Sequence, residues 1–345
     1  MDIWCEVSKE KLIKNLKTIK NTTQKKVVSV VKGNAYGLGI TEVSSIIEKD
    51  VDMFGVSSLE EADLINTKKD ILIMTPVCEI PKIPKKNYIY TIDSISDIEK
   101  FSSDKEYRVH IYIDTGMNRL GISPDKANDF ISSIIKSHRN IHIEGIYTHL
   151  HKAADIDYSK KQIDILRSIY EKNKKHIKYV HCLNSRGLST AELRQYADFT
   201  NIVRAGNALY GYDGKSIGTE KVFQVKAKVV KTYKVKKDGY IGYGAKAKVK
   251  SDTVVGLLHC GSIEKIGFGR NIKTNLVKDC LKVARDTFKQ PCVMSYNGRN
   301  IYELCSPNMN CVMIDLTNIP LEKEMYINLN ISSIQLDSSV NKIYI

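Results

Sequence analysis

Residues 31–39 read Val-Lys-Gly-Asn-Ala-Tyr-Gly-Leu-Gly and close the apolar run Val27 to Val31, so Lys32 stands where a buried strand opens into a glycine-rich turn. Desolvation and nearby cations at such a strand end lower the proton affinity of an ε-amine, and a neutral amine condenses with an aldehyde. Gly33, Gly37 and Gly39 let the backbone turn tightly beside a ligand. Other chemically capable residues recur further on. Arg119 closes His110-Ile-Tyr-Ile-Asp-Thr-Gly-Met-Asn-Arg119, His149 ends Gly145-Ile-Tyr-Thr-His149, and Asn184-Ser185 and Val203-Arg204-Ala-Gly206-Asn207 follow two more apolar runs. A guanidinium donates two parallel hydrogen bonds to a carboxylate and keeps its charge. Alone, a lysine after a strand is ordinarily solvated and a histidine at a strand end ordinarily structural, so spacing by itself decides neither.

The elements that must position these groups alternate. Eight short β-branched runs are expected as strands: Val27 to Val31, Met53 to Val56, Ile71 to Met74, Tyr88 to Ile92, Val109 to Ile113, Ile143 to Tyr147, Tyr179 to Leu183, and a short one at Ile202 and Val203. Helical patterns fit between them. Ser8 caps a face of Leu12, Leu16 and Ile19, and Ser58 with Glu61 has capping-box spacing. Ser123-Pro124 starts a helix carrying Ala127, Phe130, Ile131 and Ile134, and Ile163, Leu166 and Tyr170 mark another. Eight β-α units in about 200 residues predict an α/β fold, a (β/α)8 barrel of the TIM type whose active site lies at the C-terminal ends of the strands. Such barrels bind phosphate after strands seven and eight, which makes Ser185, Gly206 and Asn207 phosphate candidates. After Gly211 the pattern becomes alternating, in Val222 to Val235 and Tyr326 to Ile334, with turn signals at Lys237-Asp-Gly239 and Asn297-Gly298. The expected division is a barrel over 10–214 and a smaller, mainly β domain over 215–345 with 1–9.

Bulk properties narrow the function class. The chain has 345 residues, 42% of them hydrophobic, and no run approaching the roughly 18 apolar residues of a membrane span. Its start, Met-Asp-Ile-Trp-Cys-Glu, shows neither a basic leader nor an apolar core, so a cytoplasmic protein without membrane attachment is expected. The net charge of +14 is spread along the chain and alternates with apolar residues, as in Val225-Lys-Ala-Lys-Val229. That is a solvated strand face, not a nucleic-acid surface, although a positive field also suits small anions. Cys5, Cys78, Cys182, Cys260, Cys280, Cys292, Cys305 and Cys311 are scattered without a C-x-x-C pair, so neither a metal site nor a disulfide framework is expected.

The segment Val-Lys-Gly-Asn-Ala-Tyr-Gly resembles the pyridoxal-phosphate lysine motif of the alanine racemase family, and the later segments resemble that family's motifs in the same order. The resemblance implies that Lys32 carries pyridoxal 5'-phosphate as a Schiff base and that Tyr36 contacts its phosphate. It places Asn184, Ser185, Gly206, Asn207 and Tyr210 around the cofactor and Arg204 at the pyridine nitrogen. An arginine there keeps that nitrogen unprotonated, which disfavours transamination and decarboxylation while allowing reversible proton removal. Arg119 would meet the cofactor's phenolic oxygen and the substrate carboxylate, and His149 would link Arg204 to a catalytic tyrosine. Ile241-Gly-Tyr-Gly-Ala245 resembles the family's Tyr-Gly-Ala segment. This makes Tyr243 the second base, delivered from the partner subunit of a head-to-tail homodimer. Met309 would offer its backbone N–H to the carboxylate of a small amino-acid substrate.

Departures from the family pattern are also legible. Leu38 replaces a usual histidine, and Tyr112 stands where many members have a lysine, often carbamylated, that steadies the arginine corresponding to Arg119. Gly261-Ser-Ile-Glu-Lys265 replaces a Gly-Tyr-Ala-Asp-Gly gate, putting Ser262 at a gate tyrosine, and Asn310 replaces an aspartate. The chain ends at Ile345 without the family's terminal Thr-x-x-Tyr-Glu segment. A wider, less aromatic entrance, weaker cofactor retention and a broader or altered amino-acid range are the expectations. The competing expectation is a pyridoxal-phosphate-binding or regulatory homologue with impaired turnover. A related barrel decarboxylase fits worse, because Glu303-Leu-Cys-Ser306 is a poor substitute for that enzyme's cysteine segment.

Overall fold

The structure, a computed structural model, describes residues 2–76, 80–81, 83–212, 215–245, 247–266 and 294–345. The chain separates into two compact units, residues 8–222 and residues 1–7 with 223–345.

The larger unit is a barrel. Eight parallel strands run in the ring order Tyr179–His181, Ile141–Tyr147, Tyr107–Tyr112, Tyr88–Ile92, Asp70–Ile73, Met53–Val56, Lys26–Val30, Ile202–Ala205. Backbone bonds from Asn201 N–H to Val180 O (3.2 Å) and Arg204 N–H to Leu183 O (3.0 Å) bring the last strand beside the first of this order and close the ring. All eight anticipated strands are present, Met53–Val56 and Tyr88–Ile92 with the expected bounds and the rest with an end displaced by one or two residues. Buried on both faces, they read as apolar runs, as parallel strands covered by helices must. Inside, Val28, Val30, Met53, Leu72, Ile89, Tyr179 and Ile202 form one packed cluster from six of the strands.

The helices follow their signals. Ser8 accepts from Lys11 N–H, and the helix Lys9–Thr23 buries Leu12, Leu16 and Ile19. Pro124 opens Pro124–Ser137, which buries Ala127, Phe130, Ile131 and Ile134. The capping box at Ser58 is only half made. Ser58 caps Leu59–Asp63 by accepting from Glu61 N–H, but the Glu61 carboxylate does not return to Ser58 and binds elsewhere, as described below. Residues 215–222, assigned to the β domain by the change of pattern, lie with the barrel. Glu220 N–H donates to Asn15 Oδ1 and Glu220 O accepts from Asn15 Nδ2, so the first barrel helix holds them.

In the smaller unit Phe223–Val235 is the organising strand. It pairs antiparallel with Ile3–Val7, Tyr326–Leu329 and, past an irregularity at Val229/Lys231, Thr253–Leu258. Met294–Tyr296 and Arg299–Ile301 form a hairpin across Asn297 (φ 46°) and Gly298 (φ 77°), the two positive φ values a tight hairpin turn requires. Of the cysteines, Cys5, Cys182 and Cys260 are buried and Cys305 and Cys311 half-buried, while Cys78, Cys280 and Cys292 lie outside the described residues. Among the described residues no helix is long and apolar enough to cross a membrane.

Candidate active site

A cavity of about 510 Å³ opens at the C-terminal ends of the barrel strands. Lys32, Tyr36, Arg119, His149, Asn184, Ser185, Arg204, Gly206 and Asn207 line it, so nine of the twelve residues singled out in the sequence come together. Val30, Ser57, Met74, Thr75, Tyr112, Leu120, Tyr147 and Arg186 complete the wall. Lys32, Arg119, Arg186 and Arg204 thus face a space whose described lining contains no aspartate or glutamate.

Lys32 leads into an unusual turn. Gly33, Asn34, Ala35 and Tyr36 all have left-handed backbones, with φ between 53° and 64° and ψ between 35° and 50°. A left-handed conformation costs about 1–2 kcal/mol at each non-glycine residue, so three of these four positions must be held by their surroundings. Ala35 N–H bonds Val31 O at 2.7 Å, and Glu61 Oε1 accepts from Gly33 N–H at 2.5 Å and Asn34 N–H at 3.1 Å. The turn brings the Tyr36 hydroxyl to Gly206, where a side chain would collide with it. Desolvation by the surrounding protein, then the charges of Arg119 and Arg204, lowers the Lys32 pKa, and Glu61 opposes them.

Arg119 sits in a loop pinned at several points. Asp114 Oδ1 accepts from the N–H groups of Gly116, Met117 and Asn118, and Asp93 accepts from Gly121 N–H at 2.7 Å. Gln162, buried on a helix, donates to Thr115 Oγ1 and His149 O and so ties this loop to the one bearing His149.

Arg204 is almost completely buried, and its hydrogen-bond partners among the described residues are neutral, chiefly His181 Nδ1 at 2.7 Å, Thr148 O at 2.7 Å and His149 Nδ1 at 3.5 Å. A guanidinium only donates, so His181 carries its proton on Nε2 and gives it to His110 Nδ1 at 3.0 Å. His110 Nε2 then ends the relay without a partner among the described residues, beside Gly145, where a Cβ would lie 2.7 Å away. Burial first, then Arg204, pushes His149 down to about 3 and His181 well below its usual range. Burial, then Arg108, takes His110 to about 3. All three are therefore neutral imidazoles at neutral pH.

Ser185 Oγ accepts from Gly206 N–H at 3.1 Å and Ala208 N–H at 3.0 Å, which leaves its own proton for a ligand. Gly206 N–H, expected to face a phosphate directly, is thus engaged by the serine. Tyr210 also departs from expectation. It is fully buried outside the cavity lining, donates to Val30 O, and packs its ring 4.7 Å from that of Tyr36, so it supports the wall from behind. Tyr112 is 3% exposed, lies parallel to Tyr147 at 4.7 Å, and has a hydroxyl without a hydrogen-bond partner among the described residues. Burial raises its pKa, against the pull of Arg204 and Arg119.

Tyr243 and Met309 belong to the β-rich unit, at 86% and 69% exposure. Gly242 (φ 76°) and Gly244 (φ 72°) frame Tyr243, and the Cys305 sulfur packs against Gly242. Ser262 and Ile263 donate their N–H groups to Asn308 O and Met309 O. Sequence reading missed Glu61 as a support of the lysine turn, and it missed Gln162, His181 and Arg186. Glu61 reaches Gly33 28 residues away, Gln162 reaches Thr115 47 away and His181 reaches His110 71 away, and no local pattern announces these contacts.

The geometry suits pyridoxal phosphate. Arg204, a buried cation bonded to neutral acceptors, can give an N–H to a pyridine nitrogen. Ser185 Oγ and the Tyr36 hydroxyl both lie beside Gly206 and could donate to a phosphate, and the cavity is of a size to hold a cofactor with a small substrate. Fold and site together define a (β/α)8 barrel with a strand-end lysine among arginines, joined to a β-rich unit. The family described as "Alanine racemase, N-terminal domain" matches residues 7–214. The chain is 30% identical to the alanine racemase of Fusobacterium nucleatum over 297 residues, 81% of this chain and 79% of that one. To the alanine racemase of Aquifex pyrophilus it is 29% identical over 322 residues, covering 90% and 84%. Among solved structures, the alanine racemase of Clostridium difficile 630 superposes with a TM-score of 0.81 at 21% identity, covering 100% of this chain and 96% of that one. That of Bartonella henselae with covalently bound pyridoxal phosphate gives 0.76 at 19%, covering both chains fully. The chain belongs to the alanine racemase family.

Proposed function

We propose that this protein is a pyridoxal-phosphate-dependent amino-acid racemase in which Lys32 and Tyr243 act on opposite faces of the substrate α-carbon. The observation that carries the reading is the convergence of Lys32, Arg119 and Arg204 on one cavity without a lining carboxylate. Pyridoxal phosphate, which Lys32 Nζ would hold, would supply the electron sink that makes the α-proton acidic.

The chain's own residues do the rest. The lowered proton affinity of Lys32 makes its amine a competent base on one face. Arg119 reads the substrate carboxylate, and Ser185 and Tyr36 donate to the phosphate. Arg204 would donate to the ring nitrogen and keep its own proton, which would leave that nitrogen neutral and favour reversible proton transfer. Because Arg204 donates to His149 Nδ1, the His149 proton sits on Nε2, ready to hydrogen-bond a phenolate. That assigns His149 to supporting Tyr243, which a second copy of the chain would deliver along with Met309 in a homodimer. A binding protein with impaired turnover is the second reading. It is favoured by Tyr112, a buried phenol beside the arginines, and by Ser262 at the expected gate.

The test is to incubate the cofactor-supplemented protein with single L-amino acids in deuterium oxide, following α-proton exchange and the D-enantiomer. Exchange with inversion is expected. Tyr243→Phe should keep the cofactor's visible absorbance and lose racemisation by roughly 10²- to 10⁴-fold. No exchange with any amino acid would favour the second reading.

A further inference from the structure

Glu61 lies outside the segments that resemble the family motifs, yet its carboxylate joins the ends of two neighbouring barrel strands. Oε1 accepts from Gly33 N–H and Asn34 N–H, directly after Lys32, and Oε2 accepts from Ser57 N–H at 2.8 Å and Ser57 Oγ at 2.7 Å, directly after Met53–Val56. Four donors on one carboxylate, none from a cation, match an anion held in a nest of backbone N–H groups. The turn it holds is the left-handed run Gly33–Tyr36, whose three non-glycine residues disfavour that conformation. One end of the run carries the Lys32 amine, and the other sets the Tyr36 hydroxyl against Gly206 and its ring against Tyr210.

We propose that Glu61 is a positioning residue that acts through Lys32 and Tyr36, holding the strained turn between them so that the amine and the phosphate-side hydroxyl face the cavity at a fixed separation. A charged acceptor is needed because each of its hydrogen bonds is stronger than a neutral one and together they offset the turn's backbone cost. An amide at the same place presents one oxygen and turns an NH₂ toward N–H donors. Glu61 is also the anion that sustains Lys32's proton affinity against Arg119 and Arg204. The two effects have opposite signs when the charge is removed: the amine becomes easier to deprotonate while the turn loosens. The assignment of the ligand rests on the proposed function, whereas the effect on the amine does not.

The experiment uses the full chain, wild type and Glu61→Gln, in two measurements. In the cofactor-free protein, Lys32 labelling by trinitrobenzenesulfonate is followed against pH by peptide mass spectrometry. Pyridoxal phosphate is then titrated by its visible absorbance, and the adduct is trapped with borohydride. In Glu61→Gln the labelling midpoint should move down, since the one carboxylate opposing the two arginines is gone. Cofactor affinity should fall roughly 10- to 100-fold. Glu60→Gln, which removes the neighbouring exposed carboxylate and none of these four bonds, should move neither. Glu61→Asp keeps the charge one methylene short. It should hold the midpoint and lose affinity, and it carries the test if Glu61→Gln does not fold. A structural role alone would lower the melting temperature and leave the midpoint in place. An unchanged midpoint in Glu61→Gln, unchanged affinity in Glu61→Asp, or full reproduction of both effects by Glu60→Gln overturns the proposal. Failure of the wild-type protein to form a trapped Lys32 adduct overturns the cofactor reading instead, and the labelling midpoint still decides the role of Glu61.

Discussion

Two arginines occupy opposite ends of the same barrel in opposite electrostatic settings. Near the N-terminal ends of the strands, Arg108 makes paired bonds to Asp70 (2.6 and 2.8 Å) and to Glu144 (2.8 and 2.8 Å), so one cation is balanced by two anions. At the C-terminal ends Arg204 is more deeply buried and, among the described residues, is offered ring nitrogens and carbonyl oxygens only. The first end is saturated and joins three strands, which is the chemistry of stability. The second holds uncompensated positive charge around a cavity, which is free energy available to an anionic ligand. The pattern agrees with the general division of such barrels into a stabilising face and a reacting one.

The sharpest way to break this contrast is at Lys32. Lys32→Ala should abolish cofactor-linked visible absorbance and lower racemisation by at least about 10⁴-fold. The melting temperature of the cofactor-free protein should stay the same or rise, because an amine among cations has been removed. A protein that unfolds on this change would place stability at the reacting end after all. A paired measurement comes next. Arg108→Met should cost about 3 kcal/mol in denaturant unfolding by stranding Asp70 and Glu144 without a cation. Arg204→Met should leave the cofactor-free protein within about 1 kcal/mol of wild type, or more stable, since it strands no anion. Equal losses from the two would erase the distinction.

The smallest effect concerns the histidines behind Arg204. His110 and His149 are depressed to about 3 from an ordinary 6.5, and His181 lies well below it. Between about pH 6.5 and 3 the unfolded chain binds protons at these sites that the folded chain does not. Unfolding stability therefore falls as the pH drops through that window, by up to about 1.4 kcal/mol per unit for each histidine, and the contribution is absent above it. His110→Gln should lower the proton uptake measured on urea unfolding near pH 5 by about one proton. Unchanged uptake would show that His110 is protonated inside the barrel.

Much of the barrel was legible because parallel strands buried on both faces must be apolar runs, and helix starts carry side-chain caps such as Ser8. The site residues that came together were those next to strand ends, where chain order alone brings Lys32, Arg119, His149, Ser185 and Arg204 to one face. What failed to show in the chain was second-neighbour support. Glu61 has the spacing of a helix cap and makes half of one, but its carboxylate turns to Gly33 and Asn34 N–H in the lysine turn and to Ser57 N–H and Oγ, because four donors outcompete a single N–H. Tyr210 has the motif of a ligand contact and is instead buried behind Tyr36.

The sequence by itself determined the alternation of strands and helices, the change of pattern after Gly211, and which residue types stand at the strand ends, since periodicity and turn chemistry are local properties of the chain. Only the tertiary structure decided that Arg204 is buried among neutral acceptors, that three histidines are held neutral, that Ser185 takes the N–H of Gly206, and that the turn after Lys32 is left-handed around Glu61. These depend on desolvation and on contacts between distant segments, and both come into being when the ring of strands closes.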